Sequence, residues 1–484
     1  MLEKYFKTAL EHHTKGNWNK AKEIYEHLLK TYPNNITLLE NYGTLLSQLK
    51  QYTQAKNIFE KCMKIKPHDS LLLYNFGKFF HDQEIFDKAM ELYNKSFEIN
   101  PKNNLSMYNI GNIHLVKEKY QEAILAFNKS VQENPKNYLA YNNLALAYKN
   151  TGNFDKALEF FRKTIKTNND YVDGHVNYST MLLTLNKLDE GLEQYEWRKK
   201  SKSFSDYIDY RSLNLRSKVW NGEDLNQKKL LVIAEQGIGD LIQFTRYLYF
   251  IKKKYKAKII FKIKGKSFLH FFESKNFNVI SASEVIPEHN YHIHMLSLLR
   301  IFHRENNFFV KSINFFKRKN EISYKWKEKI GNLQGLKIGI NCSTSERKKN
   351  IPFKYFVELA KKFKHNFVIL QKNLSSEQLK DISDNKNIIY FPELDKGNKA
   401  FIDSIDIINR LDLIITADTA LAHLSATLEK KTWIAIPHIA DWRWFLDEKK
   451  TKWYSNVSLY RQKKIDDWAE VFESIKESLQ KEFN

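Results

Sequence analysis

The sequence contains few cysteines and no long apolar segment. Its 484 residues include only two cysteines, Cys62 and Cys342, which lie far apart in the chain. Two distant cysteines exclude a disulfide framework and a cysteine-rich zinc site, and they favour a reducing compartment. No apolar segment approaches the ~18 residues that a membrane-spanning helix requires, and the N-terminus lacks the apolar core of a signal peptide. These absences predict a cytoplasmic protein.

Acidic residues are also fewer than basic residues. The chain has 78 Lys and Arg residues against 56 Asp and Glu residues, a net charge of +22. Such an excess is found in proteins that bind nucleic acids or anionic membranes. A nucleic-acid surface should concentrate its charge in one stripe, whereas these lysines are spread along the chain. We therefore expect no nucleic-acid partner, while peripheral contact with an anionic membrane and binding of sugar-nucleotide phosphates stay open.

Proline is scarce too, with eight in the chain, yet four of the eight recur at a constant interval. They lie 34 residues apart, at Pro33, Pro67, Pro101 and Pro135. A ladder of small residues keeps the same spacing, at Ala21, Ala55, Ala89, Ala123, Ala157 and Gly191. This period is typical of an all-α tetratricopeptide superhelix, in which neighbouring helix pairs stack to bury their apolar faces. We expect five clear repeats and a degenerate sixth within residues 1–200.

The repeat pattern also assigns roles to single residues. Gly111 should let a neighbouring helix approach closely, and Tyr120 should begin the second helix of its repeat. Asparagine amides can both donate to and accept from an extended peptide backbone. We expect Asn109, Asn142 and Asn143 to line the concave groove of the array and to bind a protein or peptide there.

The pattern changes after a polar and aromatic connector, residues 201–228. Short apolar runs then alternate with helical segments, beginning with a predicted buried strand at Lys229 and starting a second set near Leu336. The alternation predicts two Rossmann-like α/β domains, residues 229–325 and 326–484, facing each other across a cleft. Ligands bind such sheets outside the carboxyl ends of the strands, so polar residues that directly follow a strand are the candidate binding residues.

One polar cluster follows the first predicted strand. Gly237 and Gly239 allow a tight turn with close backbone approach, and Asp240 falls at the start of the next helix. Aspartate is also among the preferred N-cap residues. The cluster therefore predicts either a ligand-binding turn or an ordinary helix cap.

A second cluster follows the predicted strand LIITA. Asp418 and Thr419 begin a helix whose free N–H groups and dipole favour an anion such as a diphosphate. His423 comes four residues after Thr419 and lies on the same face of that helix. The alternative is a structural cap followed by a structural histidine.

A third cluster follows the predicted strand LKIGIN. Ser343, Thr344 and Lys349 offer hydroxyl groups and a cation, which can surround a phosphate. A charged run such as this one is often only a solvated loop. Its position after a strand, like that of the other two clusters, favours the binding interpretation.

Metal coordination has weak support in the sequence. No Asp-x-Asp motif occurs, and His292 and His294, which would share one face of a strand, are more often structural without further ligands. Arg443 follows the predicted strand TWIAIP. It is expected either to contact a nucleotide or to form an ion pair with Asp441 or Asp447.

Several motifs together resemble a known family. The DTALAH block, the GIGD turn and the SERKKNIP loop are similar to glycosyltransferase family 9, the lipopolysaccharide heptosyltransferases, which have a GT-B fold. The whole chain resembles bacterial proteins that join tetratricopeptide repeats to such a domain, and residues 440–462 are similar to their C-terminal motif. The resemblance implies a nucleoside-diphosphate sugar donor held mainly by the C-terminal domain, with the acceptor approaching from the N-terminal one.

The resemblance also implies roles by position. Asp240 matches the proposed general base, and Lys349 matches a lysine that contacts donor phosphate. Asp418, Thr419 and His423 match the motif around the diphosphate and the sugar. Glycosyl transfer needs a carboxylate to accept the proton of the acceptor hydroxyl and stabilisation of the departing diphosphate.

We therefore predict a metal-independent glycosyltransferase without a cofactor, acting on a protein or glycolipid acceptor that the repeats recruit. Lys349, Arg443 and the helix that begins at Thr419 would stabilise the leaving group. With a protein acceptor, the architecture is similar to that of O-GlcNAc transferase, by analogy only. The alternative is a non-catalytic repeat scaffold with a degenerate transferase-like domain. Ala420, which replaces the glycine of the family motif, and the small size of the N-terminal α/β unit favour the scaffold. Retention of Asp240, Lys349 and His423 together disfavours it.

Overall fold

The structure is a computed structural model, and it describes most of the chain. The described residues are 2–202, 204, 215, 217–272, 277–316, 324–344, 346–446 and 449–483. Part of the predicted connector, together with Ser345 and Asp447, lies outside them. The chain divides into two units, Met1–Asn177 and Tyr178–Asn484, which are called the first and second unit below. Within the described residues, no helix is both long enough and apolar enough to cross a membrane.

The first unit consists of helix pairs that repeat every 34 residues. The helices are α1 (Leu2–Thr14), α2 (Trp18–Thr31), α3 (Ile36–Gln48), α4 (Tyr52–Ile65), α5 (Ser70–His81), α6 (Phe86–Ile99), α7 (Asn104–Val116), α8 (Tyr120–Glu133), α9 (Tyr138–Asn150) and α10 (Phe154–Thr167), and α11 (Val172–Thr184) follows across the unit boundary. Each proline of the ladder lies two residues beyond the end of α2, α4, α6 or α8, because proline cannot continue a helix without losing a hydrogen bond. The predicted all-α repeat architecture of this region is confirmed.

The ladder of small residues lies where the paired helices touch. The alanines of this ladder within the first unit are fully buried. A Cβ atom added to Gly77 would lie 2.8 Å from the ring of Tyr93, and one added to Gly111 would lie 2.5 Å from the ring of Phe127. Both distances are below normal contact, so the close approach predicted at Gly111 is confirmed, and Gly77 shows the same feature.

A further 34-residue ladder, which the sequence analysis did not identify, lies in the loop inside each helix pair. The backbone is left-handed there, with φ between 57° and 77°, at Gly16, Lys50, Glu84, Glu118, Gly152 and Asn186. A side chain in this conformation costs about 1 kcal/mol. The fold imposes the conformation whichever residue occupies the position, so residue type alone did not reveal it.

The second unit opens with α12 (Leu188–Tyr195) and a 3-10 turn (Glu196–Lys200) and continues into a parallel sheet. The described strands are β1 (Lys218–Val219), β2 (Lys229–Ile233), β3 (Lys258–Ile263), β4 (Asn278–Ser281) and β5 (Tyr291–His294), in the order β1-β5-β2-β3-β4. Its helices are α13 (Ile238–Tyr255) and α14 (Leu298–Arg304), with 3-10 turns at Lys266–Phe271 and Met295–Ser297.

A second parallel sheet follows in the same unit. The described strands are β6 (Lys337–Asn341), β7 (Asn366–Ile369), β8 (Ile388–Ile389), β9 (Leu413–Ala417), β10 (Thr432–Ile436) and β11 (Val457–Arg461), in the order β11-β10-β9-β6-β7-β8. Its helices are α15 (Tyr324–Gly331), α16 (Lys354–Lys362), α17 (Ser376–Ser383), α18 (Ile402–Ile408), α19 (Ala420–Thr427) and α20 (Trp468–Phe483), with 3-10 turns at Arg347–Lys349 and Trp442–Trp444.

The order of the strands predicts a crevice at the carboxyl ends of the strands in the second sheet. In the second sheet, β6 has β7 on one side and β9 on the other, so the winding reverses between β6 and β9. Strands β9 and β10 are buried along their whole length, as parallel strands covered on both faces must be. The α/β prediction for this region is confirmed, and the crevice lies where Asn341 and Ala417 end their strands.

Candidate functional site

The turn after β2 brings two helix N-termini together within the second unit. Gly237 is the N-cap of α13, and its backbone is extended. A Cβ atom added to Gly239 would lie 3.1 Å from Cδ2 of His423 and 3.7 Å from the Cα atom of Ala420, at the start of α19. A side chain at position 239 would therefore press on the histidine. Glycine at this position allows the first turns of α13 and α19 to touch.

Arg443 joins the two sheets electrostatically. Its Nη2 atom forms an ion pair with Oδ1 of Asp240, 203 residues away in the chain. Its Nη1 atom donates to Oδ1 of Asp441 at 2.7 Å, and the backbone N–H of Arg443 donates to the same oxygen at 3.0 Å. Nη2 also lies 3.4 Å from Oε1 of Gln236. Of the interpretations open for Arg443, the structure contains the pair with Asp441 and adds the pair with Asp240.

Lys349 forms the second cationic centre of this site. Its Nζ atom lies 3.2 Å from Oδ2 of Asp418 and 3.0 Å from Oε1 of Glu346. Asp418 is buried, whereas the side chain of Glu346 is 64% exposed. The lysine therefore bridges the crevice and the solvated loop.

Asn341 ties the loop after β6 to the start of α19. Its Nδ2 atom donates to the carbonyl oxygen of Ser343 at 3.4 Å and to Oγ1 of Thr419 at 3.3 Å. Thr419 is the N-cap of α19, and its Oγ1 accepts from the N–H of Leu421 at 3.2 Å. Asn341 was not among the predicted site residues, although a polar residue that ends a buried strand is the signal that could have identified it.

Thr344 shapes the loop that carries Lys349. Its backbone N–H donates to Oδ1 of Asn350 at 2.7 Å, and its hydroxyl donates to the carbonyl oxygen of Glu346 at 2.6 Å. Thr344 is therefore hydrogen-bonded to residues on both sides of Lys349.

His423 is buried beneath the site. Its Nδ1 atom lies 3.1 Å from the hydroxyl of Tyr454, and its ring stacks on Trp444 with centroids 5.3 Å apart and an interplanar angle of 12°. Burial, and then the positive charges of Arg443 and Arg246, lower the pKa of His423 to about 3. The imidazole is therefore neutral at physiological pH.

The pKa values of the three aspartates in the site are shifted in different directions. Burial raises the pKa of Asp240 against the opposing effect of Arg443, and burial raises the pKa of Asp418 against that of Lys349. For Asp441, burial acts to raise the pKa, but Arg443 and Lys349 outweigh it and hold the pKa at about 2. Such a set of carboxylates combines one firmly ionised group with two that take up a proton more readily.

The two cations are firmly charged. Burial alone would lower the pKa of Lys349, but Asp418 and Asp441 outweigh burial and raise it. Burial likewise opposes the charged form of Arg443, and Asp240 and Asp441 more than compensate. An anion that enters the site must therefore compete with aspartates for both cations.

A cavity of about 270 Å³ lies beside this turn, at the carboxyl ends of β2 and β3. Its walls are formed by residues 234–238 and 263–265 with Leu241 and Phe268. The atom nearest to a Cβ built at Gly237 is Oδ2 of Asp240, at 4.0 Å. The cavity therefore adjoins the carboxylate.

The histidines on β5 take part in other contacts. Nδ1 of His292 lies 2.9 Å from the hydroxyl of Ser217, and the ring of His294 packs edge-on against Phe204 with centroids 5.1 Å apart. Among the described residues, no group of three or more His, Cys, Asp or Glu side chains is arranged to hold a metal ion.

The asparagines of the first unit form a chain of amide hydrogen bonds. Asn177 donates to Asn142 at 3.0 Å, Asn142 donates to Asn143 at 3.0 Å, and Asn143 donates to Asn112 at 2.8 Å. Asn142 is only 3% exposed, so it supports the groove without presenting a free amide there. Asn143 is half-buried, as is Asn109, which donates to the hydroxyl of Tyr74 at 3.3 Å.

Comparison with known proteins identifies the repeats. The family models described as tetratricopeptide repeat match residues 5–35, 36–69, 71–103, 106–137 and 138–171. Protein FlbA of Caulobacter vibrioides is 39% identical over 70 residues, which are 14% of this chain and 11% of FlbA. The chain thus spans about a tenth of the length of this curated relative.

Solved structures show low overall similarity. MamA is 21% identical, with a TM-score of 0.31, over 34% of this chain and 96% of MamA. PilF of Pseudomonas aeruginosa is 15% identical, with a TM-score of 0.39, over 44% of this chain and 96% of PilF. The family matches themselves place tetratricopeptide repeats at residues 5–171. Arrays of this kind are binding surfaces for peptides or proteins.

Proposed function

We propose that the second unit is a GT-B glycosyltransferase of the family 9 type, which transfers a sugar from a nucleoside-diphosphate donor to a protein or glycolipid. One observation carries the proposal. A partly buried carboxylate, two cations and a helix N-terminus meet at the carboxyl ends of the strands, and they are Asp240, Arg443, Lys349 and Thr419. These are the groups that proton abstraction and departure of a diphosphate require.

The geometry supports a defined order of events. A donor diphosphate carries more charge than one carboxylate, so it competes with Asp240 for Arg443. Once Arg443 turns to the diphosphate, Asp240 is free to accept a proton. Burial keeps the pKa of Asp240 above its ordinary value, which suits a general base near neutral pH.

In the transfer step, the acceptor hydroxyl gives its proton to Asp240 as its oxygen bonds to the anomeric carbon. The bond from that carbon to the phosphate oxygen breaks, and the electron pair leaves with the nucleoside diphosphate. Lys349, Arg443 and the N–H groups at the start of α19 stabilise that charge without a metal ion.

The cavity beside Gly237 supports a place for the acceptor. It opens next to the Asp240 carboxylate and is lined by Phe268 and Leu241. An acceptor hydroxyl bound there would lie beside the Asp240 carboxylate, which accepts its proton in this proposal. The proposal therefore assigns the first sheet to the acceptor and the second sheet to the donor.

The repeats supply acceptor recruitment in this proposal. Asn109 and Asn143 are half-buried, and their amides can bind an extended peptide backbone. A glycolipid acceptor would instead bring the chain to an anionic membrane from the cytoplasmic side, and the net charge of +22 favours such a peripheral contact.

One observation favours a second candidate, a non-catalytic repeat scaffold. Both Lys349 and Arg443 already pair with aspartates of the chain. The binding free energy of a diphosphate is therefore reduced by the free energy of the ion pairs that it must break. Ala420 also places a methyl group at the start of α19, where the helix backbone approaches Gly239. The two candidates differ in whether the site binds a nucleotide at all.

The deciding experiment is a thermal-shift and calorimetric panel with UDP, GDP, ADP, CDP, dTDP and their sugar conjugates. A donor at 100 times its Kd stabilises the protein by about 2.7 kcal/mol and raises the melting temperature by roughly 5 °C. Lys349→Met should abolish this shift. Lys476→Met, which removes an ion pair with Glu473 on α20, should not. If no nucleotide shifts the wild type, the scaffold candidate replaces the enzyme.

Asp240→Asn separates catalysis from binding. Loss of the general base should lower the transfer rate by about a hundredfold or more, while calorimetry still detects the nucleotide. Asp384→Asn, an exposed C-cap position on α17, is the matched control and should transfer at the wild-type rate. Because Gly237, and not Asp240, is the N-cap of α13, transfer that survives in Asp240→Asn would reduce Asp240 to an ion-pair partner of Arg443.

A further inference from the structure

Residues that follow the sixth repeat form hydrogen bonds with the turn between β2 and α13. Arg198, in the 3-10 turn after α12, is buried and donates to both carboxylate oxygens of Glu235, from Nε at 3.0 Å and from Nη2 at 2.8 Å. Glu235 is also buried, and it accepts the N–H of Leu296 at 2.7 Å. Forked arginine–carboxylate pairs are both strong and directional. The pair therefore fixes Glu235, a wall of the cavity, in one orientation.

Tyr195, at the end of α12, holds the next residue of the same turn. Its hydroxyl accepts from Nε2 of Gln236 at 2.7 Å, and its ring packs edge-on against Trp442 with centroids 6.1 Å apart. The guanidinium of Arg198 lies over the same ring at 4.6 Å. Tyr195 thus contacts a residue near each member of the Asp240–Arg443 ion pair. Gln236 lies in the turn that leads to Asp240, and Trp442 directly precedes Arg443 in the chain.

Gln236 transmits this contact to the site. While Nε2 is held by Tyr195, Oε1 faces Nη2 of Arg443 at 3.4 Å, and the same Nη2 pairs with Asp240. Without the tyrosine hydroxyl, the amide is free to rotate and Arg443 loses a fixed neighbour. The aromatic ring of Tyr195 would still fill its place in the core, where it clusters with Leu192 and Trp442.

We propose that Tyr195 and Arg198 are positioning residues of the transfer site, which set Arg443 and the cavity wall relative to Asp240. For the reaction itself, this inference rests on the function proposed above. The degenerate sixth repeat then belongs to the transferase as a structural part, and Leu183 of the preceding helix packs in the same core. Neither residue touches the reacting atoms in this assignment.

The test uses Tyr195→Phe in the full chain, because this variant removes only the hydroxyl. Its control is Tyr178→Phe, which removes a hydroxyl that donates to Glu190 at 2.6 Å within the same helix pair. Hydrogen exchange followed by mass spectrometry should show exchange about fivefold faster in residues 235–241 and 441–445 for Tyr195→Phe, as loss of one hydrogen bond implies. The control should exchange in these segments like the wild type.

The second readout is functional. Tyr195→Phe should weaken binding of the nucleoside diphosphate selected from the panel by about fivefold. It should also move the acid limb of the pH profile of kcat/KM to higher pH, because a less fixed Arg443 stabilises the Asp240 carboxylate less well. A residue that served only the fold would change neither readout once the protein is folded.

The outcomes separate the two proposals. If no nucleotide binds the wild type, the proposed function fails, and the exchange experiment still decides whether Tyr195 positions the turn. Unchanged exchange in residues 235–241 overturns the inference whatever binds. Arg198→Lys provides a second variant, since lysine keeps the charge but cannot bridge both oxygens of Glu235. Its effect on exchange should match that of Tyr195→Phe, and exchange like that of the wild type would remove Arg198 from the assignment.

Discussion

Replacing Arg443 with methionine should destabilise the second unit by about 3 kcal/mol at pH 7.5. Arg443 pairs with Asp240 and Asp441, and its side chain is 10% exposed, against 14% and 26% for the two aspartates. Removing one partner from a buried ion pair costs about 3–5 kcal/mol. We expect the lower end because Asp441 retains some solvent and keeps the nearby charge of Lys349.

The loss of stability should shrink as the pH falls. In the wild type, the pKa of Asp441 is held at about 2, below its unfolded value of about 3.9. That stabilisation is therefore complete above pH ~4 and is lost between pH ~4 and ~2. In the variant, burial without Arg443 raises the pKa values of both aspartates. The folded variant then binds protons more tightly than its unfolded chain, so its stability rises as the pH falls through the raised pKa values.

Tryptophan fluorescence in urea is the appropriate assay. Trp18 is the one tryptophan of the nine that lies in the first unit, so the signal reports mainly on the second. Arg304→Met, which removes an exposed pair with Glu193, is the control and should change the stability by less than ~0.5 kcal/mol. An Arg443→Met variant as stable as the wild type at pH 7.5, or a loss independent of pH, would refute the electrostatic account of this site.

Further predictions concern the repeats and the thiols. Gly111→Ala should destabilise the first unit by about 1–2 kcal/mol in urea unfolding followed by circular dichroism, since overpacking against Phe127 exceeds the gain in helix propensity. Gly16→Ala should cost about 1 kcal/mol through backbone strain alone, because no atom lies within 4 Å of the added Cβ. Burial raises the pKa of Cys62 to about 11 and also raises that of Cys342, so native thiols should react with Ellman's reagent at pH 8 about a hundredfold more slowly than in urea. Rapid labelling of the folded chain would contradict the described burial.

The repeats were predictable from sequence because their information is local and periodic. In every pair, the proline follows the end of the second helix and the small residue lies where the helices touch. The spacing alone therefore located helices such as α8, which begins at Tyr120 as expected. The left-handed position inside each pair was not predicted, because Lys50, Glu84 and Glu118 occupy it in some pairs and glycine in others. Residue type is a weak guide where the surrounding helices impose the backbone conformation.

The candidate site was predictable only in part. Strand-end position identified Asp240, Asp418 and Lys349, because the carboxyl ends of parallel strands share one edge of a sheet. It did not identify their partners. The ion pair between Asp240 and Arg443 joins residues from different sheets, and the burial of Asn142 depends on its neighbours in adjacent repeats.

The sequence by itself determined the helix pairs, the parallel strands and the chemical groups at the strand ends, since these follow from hydrophobic period and residue type. Only the tertiary structure decided which charges meet, that Arg443 lies on Asp240, and that the sixth pair packs into the core of the second unit. Charges interact through distance and burial, and neither quantity is encoded in the separation of two residues along the chain.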